Sequence, residues 1–378
     1  MPLFRRRRPA PERRSFAIAP DDDPAYRPLT SAGALDRPWH EHRAELERIH
    51  AACATNPLAA RLLALTADFV IGSGATISGH PFARRFWQHP LNRMDARLHD
   101  WCREWSRSGE LFVALSRNPV DGMSYVRLVP ALLIDAVEAD ADDLERELRY
   151  HQLTDTPEGR YWPAMGAVEA LAGGVDPAAA LADEPALAGG DAVMLHYCLN
   201  RPVGALRGVS DLAQVAPWLE RYDLWLEDRV RINRYKGAYL WHVSVENPLP
   251  GQLEARRAQY SRPPRPGSII ITDAAERWQA VQPRIDADSV EADGRAMRLM
   301  IAAGAGIPLH YLAEGDTATR ATAREMGTAT LRHYAQRQRQ FAALVEDVIR
   351  QAARRAGQGD IEVQVAFESV LAHALDAG

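Results

Sequence analysis

Apolar positions along the chain follow two periods, and the switches between them divide it. From Arg37 they recur every three or four residues. Asn56-Pro57 reads as an N-cap with proline at the first helical position, and Leu58, Leu62, Leu65 and Phe69 follow at helical spacing. Gly72-Ser73-Gly74 then stops the helix and opens an extended segment. A further helix is expected over 91–105, burying Met94, Leu98, Trp101 and Trp105. Beyond it the period shortens. Glu110–Ser116 and Met123–Val129 read as strands, joined through the turn signal Pro119-Val120-Asp121-Gly122. Arg146–Leu153 and Ala192–Cys198 read as two more. Between them, 165–190 is rich in Ala and Gly and reads as a surface insertion or a loosely packed helical excursion.

The helical period then returns. Ser210 or Asp211 can cap a long helix running to about Tyr235, with Pro217 either in a later first turn or at a kink. Tyr239–Val245 and Ser268–Thr272 look β-like and bracket a short helix near 252–260, a small module between two helices. The second of those helices is expected over 288–303, with Met297, Leu299, Met300 and Ile301 on it, and Gly304-Ala305-Gly306-Ile307-Pro308 breaks it. Thr322-Ala323-Arg324-Glu325 is a capping-box pattern, opening a helix to about Ala356. Its apolar stripe is Leu331, Tyr334, Phe341, Leu344, Val345, Val348 and Ile349. Ile361, Val363, Val365 and Phe367 alternate with polar residues as a last strand. The fold class is α+β.

Composition narrows the function classes. The 378 residues are 47% hydrophobic and 25% charged, with 45 basic and 50 acidic side chains and a net charge of −5. This excludes collagen-like, disordered and disulfide-framework chains. No apolar run approaches the ~18 residues that a membrane-spanning helix needs. Cys53, Cys102 and Cys198 form no CxxC pair, which argues for a reducing compartment without a structural zinc site. Lys236 is the sole lysine, a bias of genome composition rather than of single sites. The N-terminal MPLFRRRRPAPERR lacks an apolar region and is read as a basic arm, either a tether for nucleic acid or a partner, or a solvated tail.

No pattern of enzymatic chemistry emerges. GxxxxGK[ST] is absent, and Gly72-Ser73-Gly74 with Gly79 has the wrong spacing for GxGxxG. His40 and His42 stand two apart, so a helix points them in different directions, unlike the pair of HExxH. Ser210 lacks the second glycine of GxSxG and is better explained as a cap. His196 and Cys198 share one face of a strand but have no visible third partner, so partly buried sheet residues are the expectation. Trp218 and Trp225 read as a packing stripe. No catalytic residue, metal ligand or cofactor is expected.

Three segments carry a resemblance. Val126-Arg127-Leu128-Val129-Pro130-Ala131, Arg207-Gly208-Val209-Ser210-Asp211-Leu212 and Ala305-Gly306-Ile307-Pro308-Leu309-His310-Tyr311-Leu312 precede Thr322–Met326, in that order, around an inserted module. Over roughly 40–370 the chain resembles the portal proteins of tailed bacteriophages, the head-to-tail connectors with an HK97-like fold. The resemblance implies a flexible arm over 1–36, an α/β wing over 37–209 and a stem helix over 210–237. It implies a β-rich clip over 238–285 and a second stem helix over 286–303. A wing return with the tunnel loop would span 304–326, and the long helix with the final strand 327–378. The crown would be reduced or absent.

The resemblance also implies a role. Portals are homo-oligomeric rings, typically of about twelve subunits, at one capsid vertex. Double-stranded DNA passes through their channel in packaging and ejection. Large terminase, a head–tail adaptor and the major capsid protein are the implied partners. The implied place is the virion, after assembly in host cytoplasm, with no membrane. Gly315, Asp316, Thr317, Thr319 and Arg320 would form the channel-facing loop. Asp286, Asp288, Glu291 and Asp293 would line the channel as a repulsive wall, although acids also simply favour a helix N-terminus. Arg256, Arg257 and Arg265 would form the clip surface that meets partners, or be solvated loop charges. The alternatives are a nucleic-acid-processing enzyme with an unrecognised metal site and a ring adaptor without a channel.

Overall fold

The computed structural model describes residues 35–140, 143–166, 192–237, 240–246, 248–260, 271, 275–281, 290–312 and 320–371, with side chains of 235–241, 280–281 and 320–326 outside the description. Described residues up to Leu219 and from Leu299 make one compact unit, and Glu220–Arg298 makes a second.

The first unit begins with α1 (Trp39–Thr55) and α2 (Pro57–Ile71). Asn56 separates them, its Oδ1 accepting from the amides of Leu58 and Ala59, the cap expected from Asn-Pro. β1 (Ala75–Gly79) and α3 (Pro81–Gln88) follow. The helix of α3 was not anticipated, although His80 caps it through Nδ1 and Phe82 and Phe86 are buried one turn apart. α4 (Met94–Ser108) lies three residues later than the apolar pattern suggests, because Gly109 in a left-handed conformation (φ 76°) ends it.

β2 (Glu110–Arg117) is central between β3 (Ser124–Val129) and β7 (Ala192–Cys198), antiparallel to both. Its first six residues are all buried, as expected for a strand covered on both faces. β4 (Ile134–Ala139), β5 (Glu147–Gln152) and β6 (Arg160–Pro163) form a second antiparallel sheet. Of these only β5 was expected. β6 is four residues long and ends in proline, which suits an edge and gives little alternation to read. Phe112, Ile134, Val137, Tyr150, Trp162 and Met194 form one core across the two sheets. Of the expected 165–190 excursion, all beyond Gly166 lies outside the described residues.

α5 (Ala216–Gly237) starts with Pro217 in its first turn, so the later start, not a kink, is correct. In the second unit β8 (Leu240–Val245) pairs with β9 (Glu276–Val281), placing Val243 opposite Trp278. The expected strand 268–272 lies outside the described residues apart from Ile271, which is in no strand. α6 (Gln252–Gln259) lies in the same unit. α7 (Val290–Gly304) returns beside α5 at Tyr222 and Trp225: Gly294 lies so near the Trp225 ring that a Cβ there would come within 2.6 Å of it. Arg298 Nη1 donates to Tyr222 Oη at 3.2 Å.

α8 (Arg320–Arg355) is 36 residues, about 54 Å long. It buries Tyr334, Phe341, Leu344, Val345, Val348 and Ile349, six of the seven expected stripe positions. Gly357 closes it, with the Gln358 amide donating to Ala353 O at 3.0 Å. β10 (Val363–Phe367) then pairs antiparallel with β1, so the two ends of the first unit share a sheet.

Candidate functional site

The segment 207–212 is a buried joint. Its backbone runs so close to Gly109, the residue that ends α4, that a Cβ on Gly208 would lie 2.0 Å from Gly109 O. The Leu199 amide donates to that same carbonyl at 2.7 Å. Glycine is therefore required at 208 by close backbone approach. Arg207 places Nε 3.1 Å from Glu110 Oε1 and donates from Nη2 to Ile134 O, tying β2 to β4. The Gly208 amide donates to Glu110 Oε1 at 2.9 Å. Ser210 caps the turn after it, accepting from the Leu212 amide and donating to Ser106 O. Asp211 accepts from Ser106 Oγ at 2.6 Å, Asn200 Nδ2 at 2.8 Å and Arg337 Nη2 at 3.0 Å. That last pair joins the loop to α8. The joint is structural: every polar group named holds backbone or another side chain.

Beside it lies a cluster that the sequence left incomplete. Cross-strand register sets Cys198 opposite Glu110 and His196 opposite Phe112, so Glu110, His196 and Cys198 share one face. His196 Nδ1 donates to Glu147 Oε1 on β5 at 2.9 Å, and Nε2 faces Cys198 Sγ at 3.3 Å and Glu110 Oε1 at 3.5 Å. The third partner is Glu147, brought from another sheet. The His196 ring is stacked 4.2 Å from Phe112, and Tyr150 stands edge-on to it. The side chains of His196 and Glu110 are 0% exposed.

Electrostatics follow from that enclosure. Burial alone would raise the Glu110 carboxyl, but Arg207, His196 and His42 together hold it well below the usual range. Burial likewise opposes, and His196 and Tyr150 outweigh it, for Glu147, which is lowered. Burial would neutralise His196, yet Cys198, Glu147 and Glu110 raise it well above its ordinary value. Glu110 Oε2 and His42 Nε2 face each other at 3.6 Å, too far for a hydrogen bond, and neither has a hydrogen-bond partner. Arg207 Nη1 also lacks one. A cleft of about 500 Å³ opens beside Glu147, Tyr150 and His196.

Of the expected channel and clip residues, many fall outside the described part. Gly315, Asp316, Thr317, Thr319, Asp286, Asp288 and Arg265 are among these, as is the side chain of Arg320, whose backbone begins α8. Glu291 and Asp293 occupy the first turn of α7 and are exposed. Arg256 is half-buried, 3.4 Å from the buried Glu276, and donates to Tyr260 Oη. Tyr260 packs edge-on against Trp278, so Arg256 braces α6 on β9. Arg257 is exposed. Among the described residues no helix is long and apolar enough to cross a membrane.

No protein-family model matches the sequence, and no curated protein matches it. Solved structures do. A chain in the virion of a native gene transfer agent particle is similar over 93% of this chain and 89% of its own, at TM-score 0.60 and 14% identity. A chain in the neck of that native particle, computed with C12 symmetry, is similar over 89% and 88%, at TM-score 0.57 and 14% identity. A crystal structure of an HK97-family phage portal protein from Corynebacterium diphtheriae covers 87% of this chain and 96% of its own at 14% identity, with a TM-score of 0.47 that adds no weight. At such identities the likeness is one of fold: this chain shares its fold with chains of the gene transfer agent virion and neck.

Proposed function

We propose that this chain is a subunit of a portal-type ring at one vertex of a phage or phage-like capsid, a conduit for DNA in packaging and ejection. The observation that carries this is the fold shared, nearly end to end, with a chain in the neck of a gene transfer agent particle. Large terminase, a head–tail adaptor and the major capsid protein are the partners that such a place requires.

Charge suits the task. A conduit needs weak, sequence-blind contact, because each phosphate neutralised by a bound cation adds affinity and slows the duplex. A charge of −5 per chain becomes about −60 in a ring of twelve. Glu291 and Asp293 are exposed at the start of α7, as a repulsive wall requires, and Asp286 and Asp288 precede them in sequence. Gly315, Thr317 and Thr319 have small side chains, Asp316 adds a negative charge, and Arg320 is the single cation of the segment 313–321 to brush phosphates. In the clip, Arg257 is the exposed arginine among the described candidates for partner contact, while Arg256 is committed to Glu276.

A passive conduit also fits the enclosed Glu110–His196–Cys198 group better than nucleic-acid cleavage does. Its histidine and glutamate side chains are wholly buried and out of reach of a phosphate. Twelve copies of a 41.9 kDa chain amount to about 500 kDa. Native mass measurement and electron micrographs of the purified protein are expected to give a particle of that order, annular end-on. A 42 kDa monomer at every concentration would defeat the reading. Arg320→Ala is expected to lower DNA packaging or retention with rings intact; loss of rings would make Arg320 a subunit contact instead.

A further inference from the structure

We propose that Glu110, His196 and Cys198 form a three-ligand binding site for a borderline-soft divalent cation of the zinc type, with water in the fourth tetrahedral position, bridging β7 and β2. The ligand atoms, one from each residue, lie within 4.8 Å of one another. A tetrahedral ion with bonds of ~2.0 Å to nitrogen and ~2.3 Å to sulfur sets those two atoms about 3.5 Å apart, and an N–O edge is slightly shorter. His196 Nε2 stands 3.3 Å from Cys198 Sγ and 3.5 Å from Glu110 Oε1. The nitrogen–sulfur edge therefore already matches, and a Glu110 oxygen lies within 4.8 Å of both atoms.

Two further observations point the same way. Glu147 accepts from His196 Nδ1, so that once Nε2 gives up its proton the lone pair left there faces the thiol and Glu110. A carboxylate behind a histidine is the usual orienting partner of a metal ligand. Phe112 and Tyr150 lock the ring plane in that pose. Second, Glu110 Oε2 is buried with no hydrogen-bond partner, whereas Oε1 already accepts from Arg207 and Gly208. The orphaned oxygen has a lone pair to give.

Arg207 does not compete away the ion; it balances it. Two carboxylates and one thiolate supply three negative charges, and Arg207 with a divalent cation supplies three positive ones. Binding breaks the Cys198 S–H bond and the Nε2–H bond of the protonated His196, both protons leave to solvent and no electron is transferred. A thiolate with an imidazole selects zinc or cobalt over magnesium or calcium, which prefer oxygen. The cleft beside Glu147 also borders His196.

The test is titration of the full-length reduced protein with Co²⁺ and then Zn²⁺. One ion per chain is expected, with tetrahedral visible bands and thiolate-to-cobalt charge-transfer absorption, bleached by Zn²⁺. The band is expected to persist in Cys53→Ser/Cys102→Ser and vanish in Cys198→Ser, with folding checked by circular dichroism. Should Cys198→Ser misfold, the double variant assigns the sulfur by elimination. Glu147→Gln, which touches the ligand and not the ion, is expected to weaken binding roughly 10–100-fold. No thiolate band in the wild-type protein at saturating Co²⁺, or a band retained in Cys198→Ser, overturns the proposal.

Discussion

Removing Arg337 tests whether the 207–212 joint anchors the long helix. Arg337 donates to Asp211 Oδ1 at 3.0 Å with its own side chain 5% exposed and that of Asp211 25% exposed. Its guanidinium also lies 5.5 Å from the Trp105 ring centre. Deleting one partner of a buried ion pair costs about 3–5 kcal/mol, because the other charge is left uncompensated. Here the lower end applies, since Asp211 is a quarter exposed and keeps its bonds from Ser106 and Asn200. Arg337→Ala is therefore expected to destabilise the first unit by about 3 kcal/mol in urea denaturation, followed by tryptophan fluorescence. A double-mutant cycle with Asp211→Asn is expected to give a coupling of about 1–3 kcal/mol. As a control, Arg231 pairs with Glu227 and Asp228 on the open face of α5, and Arg231→Ala is expected to cost under about 1 kcal/mol. A loss below about 1 kcal/mol for Arg337→Ala, or zero coupling, would refute the reasoning.

Other outcomes follow from the same contacts. Gly208→Ala is expected to cost about 3 kcal/mol or more by thermal or urea denaturation, because its Cβ would meet backbone rather than a movable side chain. Burial pushes the Cys53 thiol up to about 11 and the Cys102 thiol up to about 12, so both are expected to resist iodoacetamide at pH 8 and react once the chain is unfolded, as read by mass spectrometry. Burial lowers His151, but the Glu158 carbonyl and the Asp135 carboxylate outweigh it and raise the group above its ordinary value. Its pair with Asp135 thus adds stability that is complete below about pH 6.5 and lost as pH rises through the raised value; NMR titration of His151, abolished by His151→Gln, checks this.

Legibility in the sequence depended on how local each signal was. The Asn56 cap, the β7 run and the α8 stripe are set by neighbours within one turn or one strand, and all three stood where expected. Signals that need a partner were harder. β9, over Glu276–Val281, was not expected: Glu, Arg and Gln interrupt its apolar residues, and it is the pairing with β8 that makes it a strand. β6 was invisible because it is four residues long and ends in proline, and β4 because it buries Ile134 and Val137, three apart, with no alternation to read. The cluster at His196 shows the same limit. Alternation put His196 and Cys198 on one face, but Glu110 arrives through register and Glu147 through sheet packing. Glu110 looked like the polar first residue of a strand; Arg207, 97 positions later, is what makes its burial tolerable.

The most direct measurement is a cryo-electron microscopy reconstruction of the purified, assembled chain. The account predicts a closed ring with an axial channel wide enough for a B-form duplex, its wall carrying Glu291 and Asp293. A monomer, or an assembly with no passage along its axis, would contradict it.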